Sequence, residues 1–268
     1  MASTGESSRD DDTGDLTPVL TPEVAPPWLT PLVESSGAIK GAYRHRLPAD
    51  VRAALTAAST AAAVTGTRRD AAVLVLFSGP RAGSPGALPD DADLLVTVRA
   101  STLRHHAGQA AFPGGATDPG DDGPVHTALR EATEETGIDA KRLHPLVTLD
   151  RIFIPPSGFH VVPVLAYSPD PGPVAVVDAS ETALVARVPV RAFVNPENRI
   201  TVYRGARRFG GPAFLLNQML VWGFTGQIIS ALLDVAGWAL PWDADNVREL
   251  DEAIALLDAQ GSYGDAQR

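Results

Sequence analysis

The chain has 268 residues, 44% of them hydrophobic, a net charge of -10 and no cysteine. That content suits one globular domain with appendages, while the acidic balance argues against a general nucleic-acid or anionic-membrane binder, which needs basic surface to release counterions. The missing thiols exclude disulfides, thiolate catalysis and cysteine-based zinc sites; with no run of about eighteen apolar residues to span a membrane and no basic-then-apolar leader at the N-terminus, the expected compartment is the cytoplasm.

In chain order, residues 1 to about 40 read as a mostly disordered tail. Polar and acidic residues dominate to Asp15, and Pro18, Pro22, Pro26, Pro27 and Pro31 then interrupt any regular element. Trp28 and Leu29 are apolar enough to dock on a folded body, against the plainer reading of a linker. From Leu47 an alanine-rich run with Pro48 at its start predicts a helix to about Ala63. Ala71 to Ser78 and Leu94 to Arg99 predict buried strands, with a Gly/Pro loop from Arg81 to Asp91 between them. After a helix that ends near Gly137, Leu146 to Ile154 and Phe159 to Tyr167 predict strand, turn, strand around Pro155-Pro156-Ser157-Gly158. Leu184 to Val190 predicts a short strand, and Ile200 to Val202 and Phe214 to Leu216 flank a turn. Thr225 is a candidate N-cap for a helix running through Ile229, Leu232 and Leu233 to Gly237, and Val247, Leu250, Ile254 and Leu257 predict a last amphipathic helix over Asn246 to Ala259. The alternation predicts an α/β fold, a mixed sheet between helices in an α/β/α sandwich, with the main domain over 41–240 and a helical extension over 241–268.

The densest chemistry lies in Gly115 to Ile138, GATDPGDDGPVHTALREATEETGI. Val125, Leu129, Ala132 and Thr136 recur at steps of three and four, giving the helix one side suited to packing on a sheet. Glu131, Glu134 and Glu135 share the other side, where like charges three and four apart destabilise an isolated helix. A hard divalent cation, which takes oxygen ligands and joins carboxylates to phosphates, would reverse that sign. Arg130, four residues before Glu134, is placed to hold that carboxylate by a charge-assisted hydrogen bond.

This stretch resembles the Nudix box: Gly, five residues, Glu, seven residues, then Arg-Glu-apolar-x-Glu-Glu-x-Gly-apolar. The second half falls on Arg130, Glu131, Ala132, Glu134, Glu135, Gly137 and Ile138. In the first half the acidic position is Asp121, not Glu, and eight residues separate it from Arg130. The preceding stretch, LVTVRASTLRHHAGQAAFPGG from Leu95 to Gly115, is similar to the motif that precedes the box in coenzyme A pyrophosphatases, on Leu95, Thr97, Arg99, Ala100, Arg104, Gly108, Phe112, Pro113, Gly114 and Gly115. By the same resemblance, the extra residue in the box is a habit of that subfamily.

On their own chemistry, Arg99 and Arg104 suit a bidentate clamp on a phosphate-rich substrate, and Gly108, Gly114 and Gly115 permit turns and close backbone approach. His105 and His106 point different ways and suit solvent or an outer contact better than magnesium. The resemblance implies a Nudix-type α/β/α sandwich and a Mg2+- or Mn2+-dependent diphosphohydrolase. Its substrate would be a nucleoside diphosphate of the coenzyme A class, cleaved to adenosine 3',5'-bisphosphate and 4'-phosphopantetheine. It further implies Glu131, Glu135 and the Gly115 carbonyl as metal ligands, Glu134 as a third carboxylate ligand or the base that orients water, and Arg130 as their positioning residue. Arg99, Arg104, Gly108, Phe112 and Gly114 would contact substrate. Glu181 is a loop candidate for the base, against the ordinary reading of a surface glutamate. ADP-ribose or NADH as substrate, and a non-catalytic binding module, stay open as alternatives. Arg204, Arg207 and Arg208 are candidates for a 3'-phosphate contact or an exposed basic turn. No nucleic-acid or membrane partner is expected, and a homodimer is left open.

Overall fold

A computed structural model describes residues 19–100, 108–155, 157–205, 210–217 and 219–265, with side chains to Leu257. It opens with a single 3-10 turn at Pro22–Val24, followed by α1 (Thr30–Glu34), α2 (Ser36–His45) and α3 (Ala49–Val64). Then come β1 (Arg69–Ser78), β2 (Asp93–Arg99), β3 (Ala110–Ala111), β4 (Gly114–Ala116) and α4 (Pro124–Thr136). β5 (His144–Thr148), β6 (Ile152–Ile154), β7 (Phe159–Ser168), β8 (Thr182–Pro189) and α5 (Val190–Val194) complete the main sheet and its edge. The chain ends in β9 (Arg199–Tyr203), β10 (Gly210–Leu216), β11 (Met219–Val221), α6 (Gly223–Val235), β12 (Val247–Glu249) and α7 (Leu250–Asp265).

The main sheet is mixed. β1 pairs in parallel with β7 along its whole length, from Arg69 opposite Phe159 to Ser78 opposite Ser168. Its other edge is shared, antiparallel, by β2 near Phe77 and by β4 at Ala71 to Val73. β1 and β7 read as continuous apolar runs because both of their faces are buried. Alternate residues of β1 therefore go to two cores: Ala72, Leu74 and Leu76 meet Ala128, Leu129 and Ala132 of α4, whereas Val75 and Phe77 meet Trp28, Leu32 and Ile228 to Leu233. The sheet is thus sandwiched between α4 on one face and α1, α2 and α6 on the other, the expected α/β/α arrangement.

Four local expectations are corrected. The proline-rich segment from residue 19 to residue 40 is folded, not tail: Trp28, Leu29 and Leu32 are fully buried, and the Trp28 indole N–H donates to the Pro80 carbonyl at 2.8 Å. Proline breaks long elements but is tolerated in first turns, and Pro22 and Pro31 sit in the first turns of the 3-10 helix and α1. The apolar run 146–154 is broken between β5 and β6, each of which pairs separately with β7. α6 starts at Gly223 with Trp222 as its cap position, so Thr225 is an interior, buried residue. Finally, the C-terminal segment is no appendage. Residues 247–249 are strand β12, parallel to β9 in a second sheet ordered β11-β10-β9-β12, and α7 buries Leu250 and Ala253 against it.

Candidate active site

The carboxylate-bearing helix α4 lies on the main sheet through Ala128, Leu129, Ala132 and Thr136, which leaves Glu131, Glu134 and Glu135 on its other side. Gly137 closes it in the left-handed conformation, φ 67°, its N–H bonded to the Thr133 carbonyl. Strand β4 passes beneath the glutamates because its glycines allow it. A Cβ on Gly115 would overlap the Glu131 carboxylate, and one on Gly114 would overlap the backbone of Ala72 and Val73 in β1. The Gly114 N–H donates to Glu135 Oε2 at 3.2 Å.

Glu135 and Glu131 are only partly exposed; Arg130 pairs with Glu131, whereas Glu135 has no ion-pair partner among the described residues. Loss of water pushes the Glu135 carboxyl up to about 7; the Gly114 N–H and Arg99 oppose the shift, and the negative charges of Glu131 and Glu181 add to it. Glu131 is pushed up as well, again mainly by burial, with Arg130 opposing.

Arg130 organises the surround. Its Nε and Nη2 donate to Asp121 Oδ1 and Oδ2, both at 3.0 Å, and Nη2 also reaches the Ala116 carbonyl at 3.1 Å. Nη1 lies 2.9 Å from Glu131 Oε1 and 3.1 Å from Glu134 Oε2. Asp121, its side chain only 2% exposed, also accepts from Thr127 Oγ1 and the Asp118 N–H, each at 2.9 Å. The Arg130 bond, helped by these two, holds the Asp121 carboxyl far below the usual carboxylate range. The residue that departs from the box spacing is therefore the anchor that ties the acidic loop to α4. Its spacing from Arg130 could not announce this, because the 117–123 loop must fold back before the two side chains meet.

The other expected site residues divide. Arg99, at the end of β2, acts electrostatically on Glu135. Its backbone closes a hairpin with Gly108 and Gln109, and Gly108 takes a positive φ of 68°. Glu181, exposed, is drawn to the same end of β2 by the bond from the Ala100 N–H to its carbonyl, 2.8 Å. Phe112 is corrected: it is 3% exposed and packs in the core on the face away from α4, so its role is packing. Apolar aromatic side chains near a turn are read equally well as ligand platforms or as core from sequence. Arg104, His105, His106, Arg207 and Arg208 lie outside the described residues, and Arg204 is exposed.

A family model described as the NUDIX domain matches residues 69–207. The chain belongs to the NUDIX family. Relatives of this Nudix domain include the uncharacterized Nudix hydrolase NudL of Photorhabdus laumondii, 36% identical over 141 residues, covering 52% of this chain and 74% of that one. NudL of Yersinia pestis (strain Pestoides F) is 34% identical over 168 residues, 62% of this chain and 79% of that one. Among solved structures, a Nudix hydrolase from M. smegmatis, RenU, is 26% identical over 46% of this chain and 72% of that one, with a TM-score of 0.36. The protein is accordingly a Nudix hydrolase, acting on pyrophosphate bonds.

The residues present fit a divalent cation. Glu131 and Glu135 offer half-buried oxygen donors, the second without an ion-pair partner among the described residues, beside a glycine backbone. Glu134 is different: its side chain is 58% exposed and engaged by Arg130. Among the described residues no three acidic or histidine side chains converge as a finished cage.

Proposed function

We propose that this Nudix hydrolase cleaves the pyrophosphate of coenzyme A or its thioesters, giving adenosine 3',5'-bisphosphate and 4'-phosphopantetheine or its acyl derivative. The observation that carries the reading is the union of the two motifs. Arg99, from the stretch that precedes the box, acts on Glu135 of the box, and Gly114 at the junction donates its N–H to that same carboxylate. Glu131 and Glu135 would hold Mg2+ or Mn2+, with the Gly115 carbonyl as a further donor and Glu134 completing the acidic set. Bound there, the cation supplies neutralisation of the pyrophosphate and a water of lowered pKa. Arg130 holds Glu131 in place, and Arg99 and Arg104 bind the phosphates as guanidinium clamps. Gly108, at positive φ, would let the backbone approach the substrate's phosphates closely. Glu181, brought near Glu135 by the Ala100 bond, and Glu134 are the two carboxylates available to orient the attacking water.

Turnover of coenzyme A, acetyl-coenzyme A, dephospho-coenzyme A, ADP-ribose and NADH with Mg2+ or Mn2+, with products identified, tests the substrate. A coenzyme A compound is expected to lead; ADP-ribose ahead by about tenfold in kcat/KM, about 1.4 kcal/mol in the barrier, would overturn the assignment. Glu135→Gln, which preserves shape, is expected to cut cation-dependent turnover by about two orders of magnitude or more with the fold intact by circular dichroism. Near-normal turnover would remove Glu135 from the ligand set.

A further inference from the structure

On the sheet face opposite α4, helices α2 and α3 and the start of β6 line a half-open cavity of about 160 Å3. Lys40, Arg44, Arg52 and Arg151 line it, and no acidic side chain does among the described residues, in a chain whose net charge is -10. Lys40 is 3.7 Å from Asp150 and Arg151 is 3.6 Å from Asp70, so those two charges are partly balanced from outside the cavity. Arg44 and Arg52 have no carboxylate partner among the described residues. Arg44 Nη2 donates to Thr56 Oγ1 at 3.1 Å and Arg52 Nη1 to the Leu47 carbonyl at 2.7 Å, which leaves further N–H donors on each guanidinium. Tyr43 also lines the cavity; it is 8% exposed, and its hydroxyl has no hydrogen-bond partner among the described residues. Burial pushes that phenol up to about 12, so it remains an O–H donor. The rest of the wall is apolar, with Leu55, Ile152 and Phe153.

Like charges gathered around a half-enclosed hollow repel each other, and the Tyr43 hydroxyl on its wall is a donor free to meet a ligand. An anion relieves the repulsion and accepts from that hydroxyl. Two unbalanced guanidinium groups match the charge of about -1.5 to -2 that a phosphate monoester carries at neutral pH, where a carboxylate would balance only one. The volume is close to that of an engineered cavity of about 150 Å3 that takes up benzene, so an apolar body of ring size can accompany the phosphate. We propose that this cavity is a second ligand site, separate from the box, for a phosphate monoester on a small apolar body.

The test uses the full chain with EDTA, so that no divalent cation draws phosphates to the box glutamates. Phenyl phosphate, inorganic phosphate, benzoate and benzyl alcohol are titrated by calorimetry, with amide NMR shifts mapping the site. Phenyl phosphate is expected to saturate, to shift amides of α2, α3 and β6, and to bind about tenfold tighter than each of the other three. Arg44→Gln combined with Arg52→Gln is expected to weaken it about tenfold or more, and Tyr43→Phe about threefold, without change in the thermal midpoint. If the double variant is unstable, Lys40→Gln serves in its place, with about threefold weakening expected. No saturation below about 10 mM, equal binding of benzoate or benzyl alcohol, shifts confined to α4 and β4, or unchanged binding in the folded variants would overturn the proposal.

Discussion

Asp121 and the paired glycines show how single residues set the site. Asp121→Asn keeps the side-chain volume but removes the charge that meets Arg130 at two atoms. A charge-assisted bond of this kind is worth about 1.5–3 kcal/mol, and that loss is expected in chemical denaturation. The acid limb carries a further signature. Because the folded Asp121 carboxyl is held below its unfolded value, its contribution is complete above about pH 4 and fades as pH falls further. The Asn variant should therefore lose less stability than the parent between about pH 4 and 2. Gly114 and Gly115 separate by what they touch. An added methyl at Gly114 meets the backbone of β1, which cannot move, so Gly114→Ala should cost about 2 kcal/mol or more of stability. At Gly115 the obstacle is the flexible Glu131 carboxylate, so Gly115→Ala should spare stability and lower turnover. Paired melts and rate measurements distinguish the two.

Elements translate those residues into position. α4 is fixed to the sheet by small residues, Ala128 and Ala132, which bring its axis close to β1 and place the first and last of its glutamates over β4. On the opposite face the segment before α1 acts as a wedge. Trp28 meets Phe77 and Tyr167 edge-on at centroid distances of 6.2 and 6.1 Å, and lies 6.1 Å from Trp238, three residues past α6. Trp28→Ala is expected to cost about 3–5 kcal/mol, the range for emptying a buried aromatic site. A cost below about 1 kcal/mol in urea unfolding would return that segment to the status of a linker.

At the scale of the whole molecule, the acidic site and the fold pull against each other. Glu135 titrates near 7 when folded and near 4.5 as a free side chain, so folding takes up a proton between those values. Its contribution to stability is fully present below about 4.5 and is lost as pH rises through about 7. Without divalent cation, the thermal midpoint should thus rise on acidification from neutral pH, until the loss at Asp121 takes over. Mg2+ or Mn2+ should raise the midpoint most above pH 7, where the cation meets ionised carboxylates. A cation effect that is the same at pH 5 and pH 8 would separate the ion from Glu135.

The sequence by itself determined the box helix, its sheet-facing side, its glutamates and its stop at Gly137, because a helix is a local object whose faces follow from steps of three and four. It also determined β1, β2 and β7 as buried strands, since a run buried on both faces is apolar throughout. Tertiary structure alone decided the rest, for one physical reason: those features depend on which distant surfaces meet. Trp28 reads as linker until Phe77, Tyr167 and Trp238 surround it, and Phe112 reads as a substrate contact until the core closes over it. β12 needs β9 to exist as a strand. Asp121 is a misplaced acid in the one-dimensional pattern and becomes the partner of Arg130 only when the loop folds back on α4.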